Sequence, residues 1–287
     1  MKLINNSRNL LAPAKINIRL EVLDKRQDGY HEIRSIMCHV GLYDVVTLSP
    51  SNKGINLTSN SIHIPVGTNN LAYKSASLLM RKAKISGGVN IHLEKHIPIA
   101  AGLGGGSSDA AAVMKGVNDL YELKYSPSEL MKLGSEIGAD VPFFFFQSPA
   151  RATGIGEKLS PLNLSPPFWT LLVTPPIPVS TAWAYGQFGL EPGDGFINIP
   201  EKIDLLLAGK QILYNALEDI VIRRFPEIDE IKKVLIKLGA WGSRMSGSGP
   251  TVFGIFFKEK EIKRAEAQLL RNYSNRGWTI SVAKALS

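Results

Sequence analysis

Between residues 14 and 22 apolar and polar positions alternate without a break. Ile16, Ile18, Leu20 and Val22 share one side, and Lys15, Asn17, Arg19 and Glu21 share the other. That period of two predicts a strand with one buried face. Gln27-Asp28-Gly29 follows, and Asp-Gly is a strong turn signal. Residues 31–40 read as the returning strand, with further short strands at 45–48 and 55–58. Leu71, Leu78 and Leu79 lie on one side of a helix predicted over residues 69–83. Val89, Ile91 and Leu93 alternate again and run into Pro98-Ile99-Ala100-Ala101-Gly102-Leu103-Gly104-Gly105-Gly106. A helix through Tyr121 follows, with Ala110, Val113, Met114, Val117, Leu120 and Tyr121 at a 3.6-residue period and Ser107 or Ser108 as its cap. A short helix over 128–137 ends at Gly138, and the apolar run at 143–146 fits neither period.

Pro and Ser cluster at 160–167, which places a domain boundary there and divides the chain into residues 1–162 and 163–287. The second part reads as a strand at 168–173, helices near 202–207, 212–223 and 227–238, and a strand near Trp241. The loop Ser246-Gly247-Ser248-Gly249-Pro250 comes next. A strand at 251–257, a helix at 259–272 and a strand at 278–283 complete the pattern. Strands and helices mix throughout, so the class is α+β or α/β.

Composition narrows the function classes. A chain of 287 residues that is 44% hydrophobic and 20% charged is not disordered. The lone Cys38 excludes an intrachain disulfide framework. The longest apolar stretch, at 141–146, is far short of the ~20 residues a membrane helix needs. The N-terminal residues lack an apolar signal core, so a cytoplasmic, soluble protein is expected. Lys and Arg outnumber Asp and Glu by 33 to 25, and the net charge of +8 suits an anionic ligand. The pairs Arg81-Lys82, Arg223-Arg224 and Lys232-Lys233 fall on predicted helices without interleaved aromatics, so they read as solvated faces rather than nucleic-acid contacts. The histidines at 31, 39, 63, 92 and 96 form no metal set.

The Gly-rich loop is the strongest chemical signal. Glycines admit positive φ and a close approach of backbone to a bulky anion, and the helix that follows offers free N–H groups and a positive dipole end. It is neither a Walker A loop, because Ser107-Ser108 follows Gly106, nor a dinucleotide fingerprint, because Ser107 stands where the third Gly belongs. Asp109, in the first helical turn, suits the dipole but would repel a phosphate; it could help hold a metal ion or cap the helix. Lys15 and Asn17 share a strand face, for which the plain alternative is solvation. Asp140, in Gly138-Ala139-Asp140-Val141-Pro142, is a lone acid beside an apolar run, to be read as functional or as a turn residue before proline. The 246–250 loop reads as a hairpin connection or a ligand loop. Gly154-Ile155-Gly156 reads as a turn.

Taken in order, Pro13-Ala14-Lys15-Ile16-Asn17, the loop from Pro98 through Gly102-Leu103-Gly104 to Ser107-Ser108, and Ser246-Gly247-Ser248-Gly249-Pro250 resemble the three motifs of the GHMP small-molecule kinase superfamily. Asp28-Gly29-Tyr30-His31, the extended glycine run and residues 138–142 resemble the branch whose substrate carries CDP. The resemblance implies an α+β fold of two domains. The N-terminal one would be like the second domain of ribosomal protein S5, and the C-terminal one ferredoxin-like. It implies transfer of the γ-phosphate of ATP to the 2-hydroxyl of a CDP-linked methylerythritol, a step of non-mevalonate isoprenoid synthesis, with a homoserine or mevalonate type kinase as the alternative. Lys15 and Asp140 would be the catalytic pair. Residues 98–108 (Pro98, Ile99, Ala100, Ala101, Gly102, Leu103, Gly104, Gly105, Gly106, Ser107 and Ser108) would bind ATP. Asn17, Tyr30, His31 and Tyr185 would meet the substrate, with Trp183 an alternative to Tyr185. Mg²⁺ is expected with ATP; its protein ligand is left unassigned, Ser107 or Ser108 being the candidates. Neither nucleic acid nor membrane is expected as a partner. An RNA-binding protein on the S5-like fold, favoured only by the charge, leaves Lys15, Asp140 and the two Gly-rich loops without a role.

Overall fold

The computed structural model describes residues 7–146, 148–189 and 198–286. The chain begins with β1 (Arg8–Lys25), β2 (His31–Ser51), β3 (Gly54–Ser59), α1 (Leu71–Lys82), β4 (Gly88–Glu94), α2 (Gly105–Leu120) and α3 (Pro127–Ser135), then a 3-10 turn at Pro142–Phe145. Next come β5 (Ala150–Gly154), β6 (Lys158–Pro161), β7 (Asn163–Ser165), β8 (Trp169–Thr174), α4 (Thr181–Gly186), β9 (Lys202–Asp204) and α5 (Leu205–Ala208). A 3-10 turn at Lys210–Ile212 leads to β10 (Tyr214–Asn215), α6 (Glu218–Arg224), α7 (Glu227–Lys237), β11 (Gly242–Met245), β12 (Val252–Phe256), α8 (Glu259–Tyr273) and β13 (Thr279–Lys284).

These elements fall into two compact units. Unit 1 is Met1–Ala14, Tyr43–Ile99 and Gly104–Gln147; unit 2 is Lys15–Leu42, Ala100–Leu103 and Ser148–Ser287. In unit 1 the end of β2 pairs antiparallel with β4, and β4 pairs parallel with β3. Helices α1 and α2 pack along each other. Small residues are buried in both helices, Ala110, Ala111 and Ala112 in α2 and Ala72 and Ala76 in α1. Gly116 lets α2 lie close on β2, since a Cβ there would stand 1.9 Å from Leu48 Cδ1.

Unit 2 holds the strand order β10-β1-β2-β5-β6 and a separate sheet ordered β11-β12-β8-β13. In the second sheet the chain order is β8, α7, β11, β12, α8, β13, with all pairings antiparallel. This is the βαββαβ connectivity of the ferredoxin-like fold. Helix α7 turns Ile228, Ile231, Val234 and Leu235 inward, and α8 turns Ile262, Ala265 and Leu269 inward, at helical spacing.

Several expected elements change. The strands expected at 31–40 and 45–48 are one strand, β2. The helix expected at 202–207 is a short strand followed by one helical turn, because Asp204 caps Leu206 and Leu207 and starts the helix there. The helix expected at 212–223 is divided into a 3-10 turn, β10 and α6. The 143–146 run lies mostly in a 3-10 turn whose Phe143, Phe144 and Phe145 are buried.

Candidate active site

The polar face of β1 is not solvated. Lys15, Asn17, Arg19 and Glu21 are all buried, as are Ile16, Ile18, Leu20 and Val22 opposite them. Polar groups buried this way need partners. Lys15 Nζ donates to Asn17 Oδ1 at 2.6 Å, Asn17 Nδ2 donates to Ser35 Oγ at 2.8 Å, and Ser35 Oγ donates to Arg19 O at 2.7 Å. Arg19 then pairs with Glu21 at 2.6 Å, and Glu21 also takes Arg34. The Lys15 ammonium is thus aimed by a fixed chain of hydrogen bonds.

Three separated motifs meet within unit 2. Lys15 N donates to Leu103 O at 2.9 Å. Asn17 N donates to Ser246 Oγ at 3.3 Å, and Ser246 Oγ donates to Gly102 O at 2.9 Å. Thr251 N donates to Ala101 O at 3.2 Å. The 246–250 segment is therefore both the β11–β12 hairpin connection and a support for residues 101–103. Ala100 (φ 51°) and Gly102 (φ 76°) are left-handed, and Ala101 between them is not. Alternation of this kind turns successive N–H groups toward one side, the geometry of an anion nest.

In unit 1 the loop ends at Gly104, also left-handed with φ 70°, which starts α2 at Gly105. This corrects the expected serine cap. Gly104 is the N-cap, Ser107 and Ser108 lie inside the first turn, and no side chain caps the helix. Asp109 lies beyond that turn, buried, and its Oδ2 accepts from Lys95 Nζ at 2.5 Å. It neither caps the helix nor stands in the first turn as expected. Asp140 is half-buried in a turn of unit 1, and its carbonyl accepts from Phe143 N at 3.2 Å.

A cluster of aromatic side chains surrounds His31 in unit 2. Its ring lies 5.5 Å from that of Tyr185 and 6.5 Å, edge-on, from that of Phe188. Burial, aided by the charge of Lys25, pulls the imidazole below its ordinary range, so it is neutral near pH 7 and both donates and accepts. Tyr30 is 58% exposed, its N–H held by Asp28 Oδ1 at 3.1 Å. Trp183 packs instead against Phe225 at 6.1 Å, with Arg224 over its ring. Thr181, at the start of α4, hydrogen-bonds Ser248 Oγ at 2.8 Å and ties the helix bearing Tyr185 to the 246–250 hairpin.

Sequence reasoning missed several of these groups. Asn215 donates to both Met245 O and Gly247 O at 2.8 Å and holds the hairpin from behind. It lay inside a predicted helix. Ser35, Thr181, Phe188, Asp44 and Lys95 carried no motif; the only signal for Phe188 was its nearness to Tyr185.

Among the described residues no group of three or more His, Cys, Asp or Glu could hold a metal. Ser108 Oγ is buried without a hydrogen-bond partner, and Ser107 is half-buried. Such sparse oxygen donors fit a hard cation carried mainly by phosphates and water, as Mg²⁺ is.

Burial pushes the Asp109 carboxyl up to about 7, against the pull of Lys95 and with a further push from Asp44. Because the folded value exceeds the ordinary 3.8, the folded state binds the extra proton between those values. The stability this contributes is complete below about 3.8 and lost as pH rises through about 7. Asp109→Asn removes the titration, so its Tm relative to wild type rises from pH 5 to pH 8. A constant Tm difference across that range contradicts the assignment.

A glycine loop that opens a helix, with a second Gly-Ser hairpin bonded to it, is an arrangement suited to a phosphate chain. Residues 70–148 match the model for the GHMP kinases N terminal domain, and residues 198–275 the model for the GHMP kinases C terminal. The chain belongs to the GHMP kinases. Within that family it aligns with a 4-diphosphocytidyl-2-C-methyl-D-erythritol kinase of Citrifermentans bemidjiense at 45% identity over 278 residues, covering 96% of this chain and 98% of the relative. A crystal structure of 4-(cytidine 5'-diphospho)-2C-methyl-D-erythritol kinase superposes with a TM-score of 0.81 at 35% identity, covering 98% of this chain and all of that one. Homoserine kinase from Cytophaga hutchinsonii shares the fold, with a TM-score of 0.75 at 18% identity over 99% of this chain and 96% of that one. Among the described residues no helix is long and apolar enough to cross a membrane.

Proposed function

We propose that this chain phosphorylates the 2-hydroxyl of 4-diphosphocytidyl-2-C-methyl-D-erythritol with ATP, a step of the non-mevalonate route to isoprenoid precursors. The observation that carries the substrate is 45% identity along nearly the whole chain to a kinase of that name, against 18% for the homoserine kinase. That contrast favours this reading over a homoserine or mevalonate type.

In the reaction the substrate hydroxyl oxygen bonds to the γ-phosphorus as the bond to the β,γ-bridging oxygen breaks, and ADP leaves. Asp140 orients the hydroxyl and receives its proton. Lys15, aimed by Asn17, offsets charge at the attacking oxygen and the γ-phosphate. A carboxylate is a weak base toward an alcohol, so positioning and electrostatics carry most of the effect. Residues 98–108 cradle the triphosphate with backbone N–H groups, supported by the Ser246 contact. Mg²⁺ bound with ATP would draw charge from the β- and γ-phosphates, with the Ser107 or Ser108 hydroxyl as its protein ligand.

Cytosine recognition falls to the group around His31. Tyr30 and Tyr185 offer ring faces, and the neutral imidazole offers a partner for the base edge. Base–aromatic stacking is worth ~1–3 kcal/mol, so Tyr30→Ala and Tyr185→Ala each raise the KM for the CDP substrate about 5- to 150-fold. The KM for ATP stays at the wild-type value. Equal weakening of both ligands would mark the residue as packing. The product tests the reaction itself: phosphorus–carbon coupling in the NMR spectrum shows one new phosphomonoester at C2, and a phosphate on any other carbon contradicts the proposal.

A further inference from the structure

Lys95 sits between two carboxylates that the mechanism does not use. Its Nζ donates to Asp44 Oδ2 and, at 2.5 Å, to Asp109 Oδ2. The side chains of all three residues are buried. Asp44 Oδ1 accepts from His96 N at 2.6 Å and Ile97 N at 2.8 Å. Those are the last backbone donors before Pro98, which has none. Gly105, the first residue of α2, rests on the same group. A Cβ there would lie 3.0 Å from Ile97 Cγ2 and 3.4 Å from Asp44 Oδ2.

The chain leaves unit 1 after Ile99 and returns at Gly104. Asp44 holds the departing backbone, Asp109 belongs to the returning helix, and Lys95 binds both. We infer that Lys95, with Asp44 and Asp109, positions the glycine loop for ATP by tying its two ends together. The inference rests on the reading of residues 98–108 as the phosphate loop.

A buried ionic group is not needed for stability as such, because apolar packing of similar volume does as well or better. It adds direction. Each hydrogen bond fixes where one atom of the loop's flanks must lie, and anion binding by backbone N–H groups depends on such placement. These residues touch neither reactant in the reading above, so they are positioning residues, not catalytic ones.

The test compares Asp109→Ala, Asp109→Asn and Lys95→Met in the full chain. The readouts are KM for ATP, KM for the CDP substrate, kcat and Tm, with hydrogen exchange of residues 99–108 measured in wild type with and without a non-hydrolysable ATP analogue. Asp109→Ala is expected to raise the KM for ATP about tenfold, the scale of one lost charge-assisted hydrogen bond. Its kcat at saturating ATP and its KM for the CDP substrate stay near wild type. Asp109→Asn keeps an oxygen for Lys95 and restores most of the ATP affinity. Lys95→Met repeats the Asp109→Ala effect; should it fail to fold, Asp109→Ala decides alone, since it leaves the Lys95–Asp44 pair intact.

A fall in Tm with an unchanged KM for ATP in Asp109→Ala overturns the inference and leaves the group a packing feature. If the analogue slows exchange over residues 99–108 in wild type, that outcome counts against the tie alone. If the analogue leaves exchange there unchanged, the loop reading fails and the inference fails with it.

Discussion

Asp140→Asn lowers turnover by about 10²–10⁴-fold, the range typical of a lost general base, while ATP and the CDP moiety still bind. The substitution keeps the side chain's shape and removes its charge. In the mechanism proposed, that charge orients the hydroxyl and takes its proton, whereas the glycine loop and the His31 cluster supply binding from other parts of the chain. Lys15→Met also lowers turnover. The double variant costs less than the product of the two, because residues that act as a unit are not additive. If Asp140 is only the turn residue before Pro142, the pattern reverses to a lower Tm with near-normal turnover. Retention of more than about a tenth of wild-type turnover by Asp140→Asn ends the catalytic assignment, given the expected range.

Gly102→Ala carries the next largest effect, and it acts through the backbone. A Cβ at Gly102 would stand 2.1 Å from the carbonyl oxygen of Ser246 and 3.1 Å from Gly249 N. Neither atom is the end of a flexible side chain, so the loop and the hairpin must separate. That removes the Ser246 Oγ bond to Gly102 O and disturbs the Asn17 N bond to Ser246 Oγ. The φ of +76° adds left-handed strain of about 1–2 kcal/mol to an overpacking cost of about 1–3 kcal/mol. Gly29 is the internal control, with φ +87° and nothing within 4 Å of a Cβ. Gly29→Ala therefore carries only the strain. Thermal unfolding is expected to show the larger Tm loss for Gly102→Ala, and calorimetry a loss of ATP affinity in that variant alone. Equal Tm losses with intact ATP affinity would show that the hairpin does not support the loop.

Much of this was legible along the chain where a period ran long enough. The alternation in β1 located the strand and both of its faces. It could not show that the polar face is buried, because Ser35 and Arg34, which satisfy that face, lie on the next strand. Helices α7 and α8 stood out by their inward apolar stripes, whereas β10 has two residues and α5 four, too short for any period to register. The serine cap failed because Gly104 in a left-handed conformation can begin a helix without a side-chain acceptor. For the aromatic next to His31 the sequence left Tyr185 and Trp183 open. Two residues apart on a helix, they stand about 200° apart around its axis, so one ring reaches His31 and the other meets Phe225. The motifs themselves were readable one by one; their hydrogen bonds to each other were not.

The central claim is the identity of the phosphoryl acceptor. ADP release measured side by side with 4-diphosphocytidyl-2-C-methyl-D-erythritol, mevalonate and homoserine tests it most directly. The account predicts ATP-dependent turnover with the CDP-linked substrate and only background release with the other two. Turnover of mevalonate or homoserine at an equal or higher kcat/KM would contradict it.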